Sequence, residues 1–153
     1  MMPGTLRRAA CALATVLVVA ACGGNDADDG MAGDTTAMQQ STTLSVSGVE
    51  LGKSVGADER VAMPMTTFAP SDTVYASIAT DGAPPSATLT AVWTFMQDGE
   101  RARVDSSSRT INPGGPASTA FFISRPGGWP TGQYEVEIFA DGRSVETRQF
   151  QVQ

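Results

Sequence analysis

The residues with the most evident chemical potential are two glutamates, Glu135 and Glu137, two positions apart in a segment that alternates apolar and polar residues. On a β-strand this spacing places both carboxylates on one face, about 6.5–7 Å apart. Paired carboxylates at such a separation can perform glycoside hydrolysis. The apolar residues that alternate with them must face a core, so the two glutamates face solvent, where arginines of neighbouring strands can pair with them. We therefore predict a polar surface and not a catalytic pair.

Nucleophilic catalysis has no better support. Ser106–Ser108 supplies three hydroxyls, but the chain contains no histidine, the commonest general base. Lysine occurs once, at Lys53, which leaves little material for lysine-based chemistry. The sequence predicts a protein that is not an enzyme and that uses no cofactor.

Methionines offer a different chemistry. Met63-Pro64-Met65, together with Met96, could present thioethers to Cu(I). Such a site is weak without histidine or cysteine, and methionine commonly fills irregular gaps in cores and loops. We favour packing, assign no metal ligands, and keep methionine-based metal handling as the weakest functional hypothesis.

Aromatic residues suggest a binding surface. Phe122 and Phe139 occupy the outward phase of two predicted strands, and Trp129 lies in a Gly-Gly-Trp-Pro loop. If the three residues cluster, they form an exposed apolar patch of the kind that marks partner or glycan sites. In the alternative interpretation, Trp129 caps one end of the domain and the two phenylalanines pack under a loop.

Charge argues against nucleic acid as a partner. The formal net charge is −6, with ten basic and sixteen acidic residues. Removing Arg7 and Arg8 with a leader leaves eight basic residues and a net charge of −8. A phosphate backbone is not attracted to such a protein.

The first residues have the three parts of an export signal. Arg7 and Arg8 form a positive region, and the apolar run Ala9 to Ala20 is too short for a bilayer core, which needs about 20 helical residues. The run ends in Val19-Ala20-Ala21-Cys22, which resembles the lipobox of bacterial lipoproteins: an aliphatic residue, two small residues, then cysteine. The resemblance implies that signal peptidase recognises Val19, Ala20 and Ala21 and that Cys22 carries the lipid. The alternative is an ordinary secretory signal followed by a chance cysteine.

Removal of the leader would also remove Cys11, so that Cys22 would have no intramolecular disulfide partner. We expect an exported, lipid-anchored envelope protein. In Gram-negative lipoproteins Asp after the lipidated cysteine favours the inner membrane, so Gly23 favours the outer membrane if the cell is Gram-negative.

The chain divides into a signal peptide (1–21), a lipidated cysteine with a flexible acidic tether (22–42) and a folded domain (43–153). Gly, Asp, Thr, Ser and Gln dominate the tether and show no apolar period, which predicts a disordered segment. Its acids do not match a calcium loop, because no glutamate occupies the twelfth position counted from Asp26.

From Leu44 onward, short β-branched and aromatic runs alternate with turn residues, which is typical of an all-β sandwich. Asp98-Gly99 and Asp141-Gly142 predict two tight hairpins. The last strand loses its alternation, so we expect a bulge near Thr147 or Arg148. We predict seven antiparallel strands, at about 43–55, 73–80, 87–97, 101–111, 118–124, 133–140 and 143–152.

The domain resembles immunoglobulin-like and fibronectin type III-like sandwiches. Trp93 lies in the middle of the third strand, and Thr131-Gly132-Gln133-Tyr134 is similar to the approach to a tyrosine corner. The cysteine pair of antibody domains is absent. Both aromatic residues should be buried, with the Tyr134 hydroxyl bonded to a backbone group of the preceding connection, whereas Glu135→Ala should change stability by about 0.5 kcal/mol or less.

Two functional hypotheses lead. In the first, an anchored immunoglobulin-like module binds an envelope protein or a glycan. In the second, the domain is a structural or accessory lipoprotein without a ligand site of its own.

Overall fold

The computed structural model describes residues 41–153, and this part of the chain is all-β. The predicted signal peptide, Cys22 and the tether as far as residue 40 lie outside the described residues. Residues 41–153 contain no helix long and apolar enough to cross a membrane. They form eight strands: β1 (Ser45–Gly52), β2 (Thr67–Phe68), β3 (Val74–Asp81), β4 (Ala87–Gln97), β5 (Glu100–Ile111), β6 (Ala117–Ile123), β7 (Gly132–Ala140) and β8 (Arg143–Val152).

The strands form two sheets. One has three strands in the order β1-β3-β6, and the other has five in the order β2-β8-β7-β4-β5. Every pairing is antiparallel except that of β2, which runs parallel to the end of β8. The prediction of seven strands, all antiparallel, therefore missed β2. With only two residues, Thr67 and Phe68, this strand is too short to show an alternating pattern.

Two strand details differ from the prediction. The first strand ends at Gly52, and Val55 instead forms an isolated bridge with Val61. The bulge in β8 lies at Val145, not near Thr147 or Arg148, because Ile138 pairs with Glu146 whereas Phe139 pairs with Ser144. Val145 is the unpaired, exposed residue, and from Glu146 onward the strand alternates regularly.

The two sheets enclose one hydrophobic core, to which both contribute their inward-facing residues. The predicted burial of Trp93 and Tyr134 is confirmed, because their side chains are 0% and 1% exposed. The ring of Tyr134 stacks on Phe150 with 5.2 Å between centroids, and the edge of Trp93 meets the same ring at 6.0 Å. Tyr134 also donates a hydrogen bond of 2.8 Å to the carbonyl of Pro130, as expected from the sequence.

Both predicted hairpins are present. Asp98 and Gly99 have φ angles of 52° and 84°, and Asp141 and Gly142 have φ angles of 48° and 79°. Positive φ at both central residues is the geometry of a type I′ turn, whose twist matches that of the flanking strands. The first turn joins β4 to β5 and the second joins β7 to β8.

The two sheets leave two open sides, each crossed by an arginine. On the side of β1 and β8, the Arg148 Nε donates to the Val49 carbonyl at 3.0 Å. On the side of β5 and β6, Arg109 Nη1 donates to the Ala120 carbonyl at 3.2 Å. These hydrogen bonds join the two sheets at sides where no strand pairing connects them. The bond from Arg109 borders the candidate site.

Candidate functional site

The structure does not bring together the three aromatic residues predicted to form a binding surface. Phe122 lies on the outer face of the three-stranded sheet and is 58% exposed. Phe139 lies in the five-stranded sheet, on the opposite outer face of the sandwich, and is partly buried. The two phenylalanines therefore cannot share one patch.

Trp129 is buried, with 6% of its surface exposed. Its backbone N–H donates to the Pro70 carbonyl at 2.8 Å, and its indole Nε1 donates to the Asp72 carbonyl at 2.9 Å. The ring meets Tyr134 edge-on at 6.1 Å. Both N–H groups of Trp129 donate to carbonyls of the β2–β3 connection, so this residue closes one end of the sandwich, as in the alternative interpretation of the sequence.

Phe122 borders a groove between β5 and β6, the free edge strands of the two sheets. A cavity of about 510 Å³ lies there, lined by Asp105, Ser107, Arg109, Ala120, Phe121, Phe122, Ile123 and Ser124. A second cavity of about 260 Å³ shares Asp105, Ile123 and Ser124 with the first and extends to Arg125, Pro126 and Trp129. Together they form an elongated channel, which we call the β5–β6 groove.

One wall of the groove is the backbone edge of β6. In an antiparallel ladder, the N–H and C=O of alternate residues point away from the partner strand. Ala120 is such a residue, because its N–H and C=O bond to side chains of Glu59 and Arg109 and not to β3. By the same alternation the N–H and C=O of Phe122 also point into the groove, and within the described residues neither has a partner.

An ion pair closes one end of the groove. Glu59 Oε2 accepts the Ala120 N–H at 2.7 Å and pairs with Arg109 Nη1 at 2.9 Å. Glu59 has a φ of 59°, and its carbonyl accepts the Ser77 hydroxyl at 2.7 Å. Burial acts to raise the pKa of Glu59 and is the largest influence, but the Ala120 amide and Arg109 together hold that pKa below its ordinary value. We call this arrangement the Glu59–Arg109 clasp.

The opposite wall comes from β5, whose inward-phase residues Asp105, Ser107 and Arg109 face β6. Asp105 forms no ion pair with any described residue, in contrast to Arg109. The hydroxyl oxygen of Ser107 is buried and has no hydrogen-bond partner in the described part of the chain. A ligand in the groove would therefore meet a carboxylate that is free to accept hydrogen bonds at Asp105.

The outer rim is aromatic. Phe122 pairs across the strands with Tyr75, and their ring centroids are 5.5 Å apart. The pair combines exposed apolar area with polar backbone groups directly beside it. Sequence reasoning identified Phe122 but missed Asp105, Ser107 and Glu59. The alternation in β5 was a signal for the first two, whereas Glu59 lies in a connection and gave none.

The other chemically suggestive residues are not brought into this groove. Glu135 was predicted to be a solvent-facing residue, but it is only 3% exposed and its carboxylate pairs with Arg101 at 3.0 Å. Its strand, β7, lies between β8 and β4, so Glu135 has a cross-strand neighbour on each side, Gln149 and Thr94, which a pattern of alternation cannot reveal. Glu137 accepts a hydrogen bond from the Ser144 hydroxyl at 2.5 Å.

The methionines are also separated by the fold. Met63 is 72% exposed, Met65 packs against the core, and Met96 lies on the outer face of the five-stranded sheet. In the part of the chain that the structure describes, no group of three or more His, Cys, Asp or Glu residues is placed to hold a metal ion.

Neither the protein-family models nor the curated proteins include a match to this sequence. Several solved structures match part of this chain. An alkylpurine DNA glycosylase from Pseudomonas fluorescens, bound to DNA with an abasic-site analogue, matches 72% of this chain with 6% identity and a TM-score of 0.51. An immunoglobulin-like protein from Pseudomonas aeruginosa matches 72% with 17% identity and a TM-score of 0.47. A β-glucosidase from Listeria innocua in complex with gluconolactone matches 72% with 7% identity and a TM-score of 0.46.

The chain covers 30% of the glycosylase and 16% of the glucosidase, but 97% of the immunoglobulin-like protein. Of these three, only the glycosylase exceeds a TM-score of 0.5, and at 6% identity this likeness concerns the fold alone.

Proposed function

We propose that this chain is a lipid-anchored envelope lipoprotein without catalytic activity, and that it presents an immunoglobulin-like module for binding an envelope partner. The observation that carries the binding role is the β5–β6 groove, in which the unpaired backbone edge of Phe122 lies beside an exposed aromatic ring. Apolar and hydrogen-bonding groups that converge in a concave surface are typical of recognition sites.

The immunoglobulin-like assignment is supported by topology. Seven long strands pair antiparallel within two sheets, and β2 adds one short parallel strand. One strand differs from an antibody constant domain. There the fourth strand lies in the same sheet as the first, second and fifth strands. Here the fourth long strand, β5, lies in the other sheet, where it pairs with β4. The bond from Tyr134 to Pro130 has the form of a tyrosine corner.

The anchoring role is supported by the sequence Val19-Ala20-Ala21-Cys22 and by the polar tether that follows it. A flexible chain of about twenty residues reaches about 25 Å on average. The end of the three-stranded sheet at which β1 begins also fits this role. Ser45 pairs with Asp81 at one end of the three-stranded sheet, whereas the groove borders Ile123 at the end where β3 begins. The first strand therefore begins at the end of the three-stranded sheet remote from the groove.

Nucleic acid is not the partner that these observations favour. The glycosylase with a similar fold binds DNA, but this chain has a formal charge of −6, and the groove contains Asp105 without an ion-pair partner among the described residues, while its Arg109 is already paired with Glu59. Both features repel a phosphate backbone.

Photo-crosslinking in the native envelope tests the proposal. A photoreactive amino acid replaces Phe122 in the anchored, full-length chain, and in a matched control it replaces Val145, which is 41% exposed on β8. We expect a defined adduct from position 122 that is absent from position 145. No adduct from either position would contradict the binding role and favour the structural or accessory alternative.

A further inference from the structure

We infer that the occupant of the β5–β6 groove is an extended polypeptide strand that pairs antiparallel with the free edge of β6 and directs a basic side chain towards Asp105. This inference rests on the proposed binding role and specifies its partner. The partner is identified by shape, by backbone hydrogen bonding and by charge.

Shape is the first argument. The two adjoining cavities are lined by consecutive residues of the chain from Ala120 to Arg125, of which Ala120 to Ile123 belong to β6. A groove of this form accepts an extended chain of about five residues. Peptides commonly bind at such a position by adding a strand to an exposed sheet edge.

Backbone hydrogen bonding is the second argument, and it sets the register. Ala120 is already engaged by the Glu59–Arg109 clasp, whereas Phe122 presents an N–H and a C=O without partners among the described residues. A residue placed opposite Phe122 in an antiparallel strand exchanges both hydrogen bonds with it. The clasp therefore marks one end of the pairing, and Phe122 is its centre.

The edge of β5 is less suitable. This strand carries a bulge at Val104, because Trp93 pairs with Asp105 whereas Thr94 pairs with Arg103. Bulges and charged side chains are common protections of a free edge, and β5 has both, with Arg101 and Arg103 exposed. β6 has neither a register shift nor a charged residue.

Charge is the third argument. The side chain opposite Phe122 would point outwards, beside Phe122 and Tyr75, so an apolar residue fits there. Its two neighbours would point inwards, towards Asp105 and Ser107. Asp105 forms no ion pair with any described residue, including Arg125, which lines the second cavity with it, so arginine or lysine is favoured at the inward positions.

The probe is the fluorescent peptide acetyl-Thr-Arg-Val-Arg-Thr-amide, titrated into the intact chain in detergent and followed by anisotropy. A pairing centred on Phe122 has few hydrogen bonds, so we expect a Kd of about 0.1–1 mM. N-methylation of the valine amide, which faces β6, should abolish binding. N-methylation of either arginine amide, which faces away, should leave the Kd within about twofold.

Protein variants test the charge. Asp105→Asn should weaken binding about threefold, the size expected for an exposed ion pair. Asp98→Asn is the matched control, because it removes an acid from the β4–β5 turn and Asn-Gly suits that turn equally well. A peptide with glutamate in place of both arginines should bind more weakly than the arginine peptide, and Asp105→Asn should reduce that difference.

Equal effects of the two kinds of N-methylation, or equal affinity for the arginine and glutamate peptides, would overturn the inference. Association of two copies of the chain through β6, if it excludes the peptide, would also overturn the inference. If position 122 forms an envelope adduct but the peptide fails to bind at about 1 mM, the proposed function survives and the strand partner is wrong, for example because the partner is a glycan. If position 122 forms no adduct, the proposed function itself fails.

Discussion

The bond from the Tyr134 hydroxyl to the Pro130 carbonyl allows a stability prediction with an internal control. Tyr134→Phe removes this 2.8 Å bond and leaves the stacked ring in place, since the ring contacts with Phe150 and Trp129 do not involve the oxygen. A net intramolecular hydrogen bond contributes about 0.5–1.5 kcal/mol. Pro130 is exposed, so water can reach its freed carbonyl, and the expected loss is about 1 kcal/mol.

Urea unfolding of wild type and variant measures this loss as a lower midpoint at constant slope. The melting temperature should fall by about 3–6 °C. Tyr75→Phe is the control, because Tyr75 is the other tyrosine of the chain and its hydroxyl makes no hydrogen bond to any residue from 41 to 153. Equal midpoints for Tyr134→Phe and Tyr75→Phe would refute the assigned role of the hydroxyl.

The same residue predicts a pH dependence. Burial raises the pKa of Tyr134 above its ordinary value of 10.0, although Arg125 acts in the opposite direction. A raised pKa means that the folded state holds the proton more tightly, so this contribution to stability is complete below pH 10 and is lost as the pH rises through the folded pKa. Wild type should therefore lose stability above about pH 10 more steeply than Tyr134→Phe.

Three further predictions concern the anchor and two ion pairs. Cys22→Ser should abolish lipidation, and intact-mass analysis checks this, since wild-type mature protein without acyl mass would contradict the lipobox interpretation. Glu135→Ala should lower the free energy of unfolding in urea by about 1–2 kcal/mol, because the carboxylate is buried while Arg101 stays solvated. This loss is larger than the one expected from the sequence alternation. A loss below about 0.5 kcal/mol would show that the ion pair does not stabilise the fold. Glu59→Gln should cost about 0.5–1 kcal/mol near neutral pH. Since the pKa of Glu59 is lowered from 4.5, the wild-type advantage should persist above that pH and disappear as the pH falls through the folded pKa, and an advantage that persists in acid would contradict the Arg109 contact.

Local chemistry explains the parts of the fold that the sequence predicted correctly. Asp98-Gly99 and Asp141-Gly142 favour positive φ at two successive positions, so each hairpin is determined within a few residues. Trp93 and Tyr134 are large residues in phase with other apolar residues of their strands, so their burial follows from alternation alone.

The errors arise where distant segments meet. β2 exists because Thr67 and Phe68 pair with the C-terminal end of β8, which no local pattern encodes. Trp129 is buried because its indole N–H reaches the carbonyl of Asp72 in another connection. Glu135 alternates as a surface residue should, but on a central strand it has a neighbour on each side, Thr94 and Gln149, and it is only 3% exposed.

The β5–β6 groove is the clearest feature that a local sequence pattern could not predict, because it depends on which residues cover the free edges of the two sheets. Glu59 is 61 residues from Ala120 in sequence and 50 from Arg109, yet these three residues close the edge of β6 at one point. A free edge is a hazard that proteins usually protect with charge, bulges or covering segments. β5 has such protection along its length, and β6 has it at Ala120 but not at Phe122, where an aromatic side chain is exposed as well. Stability alone gives no reason to leave that position open beside an exposed ring, whereas the proposed recognition of an extended partner would use both features.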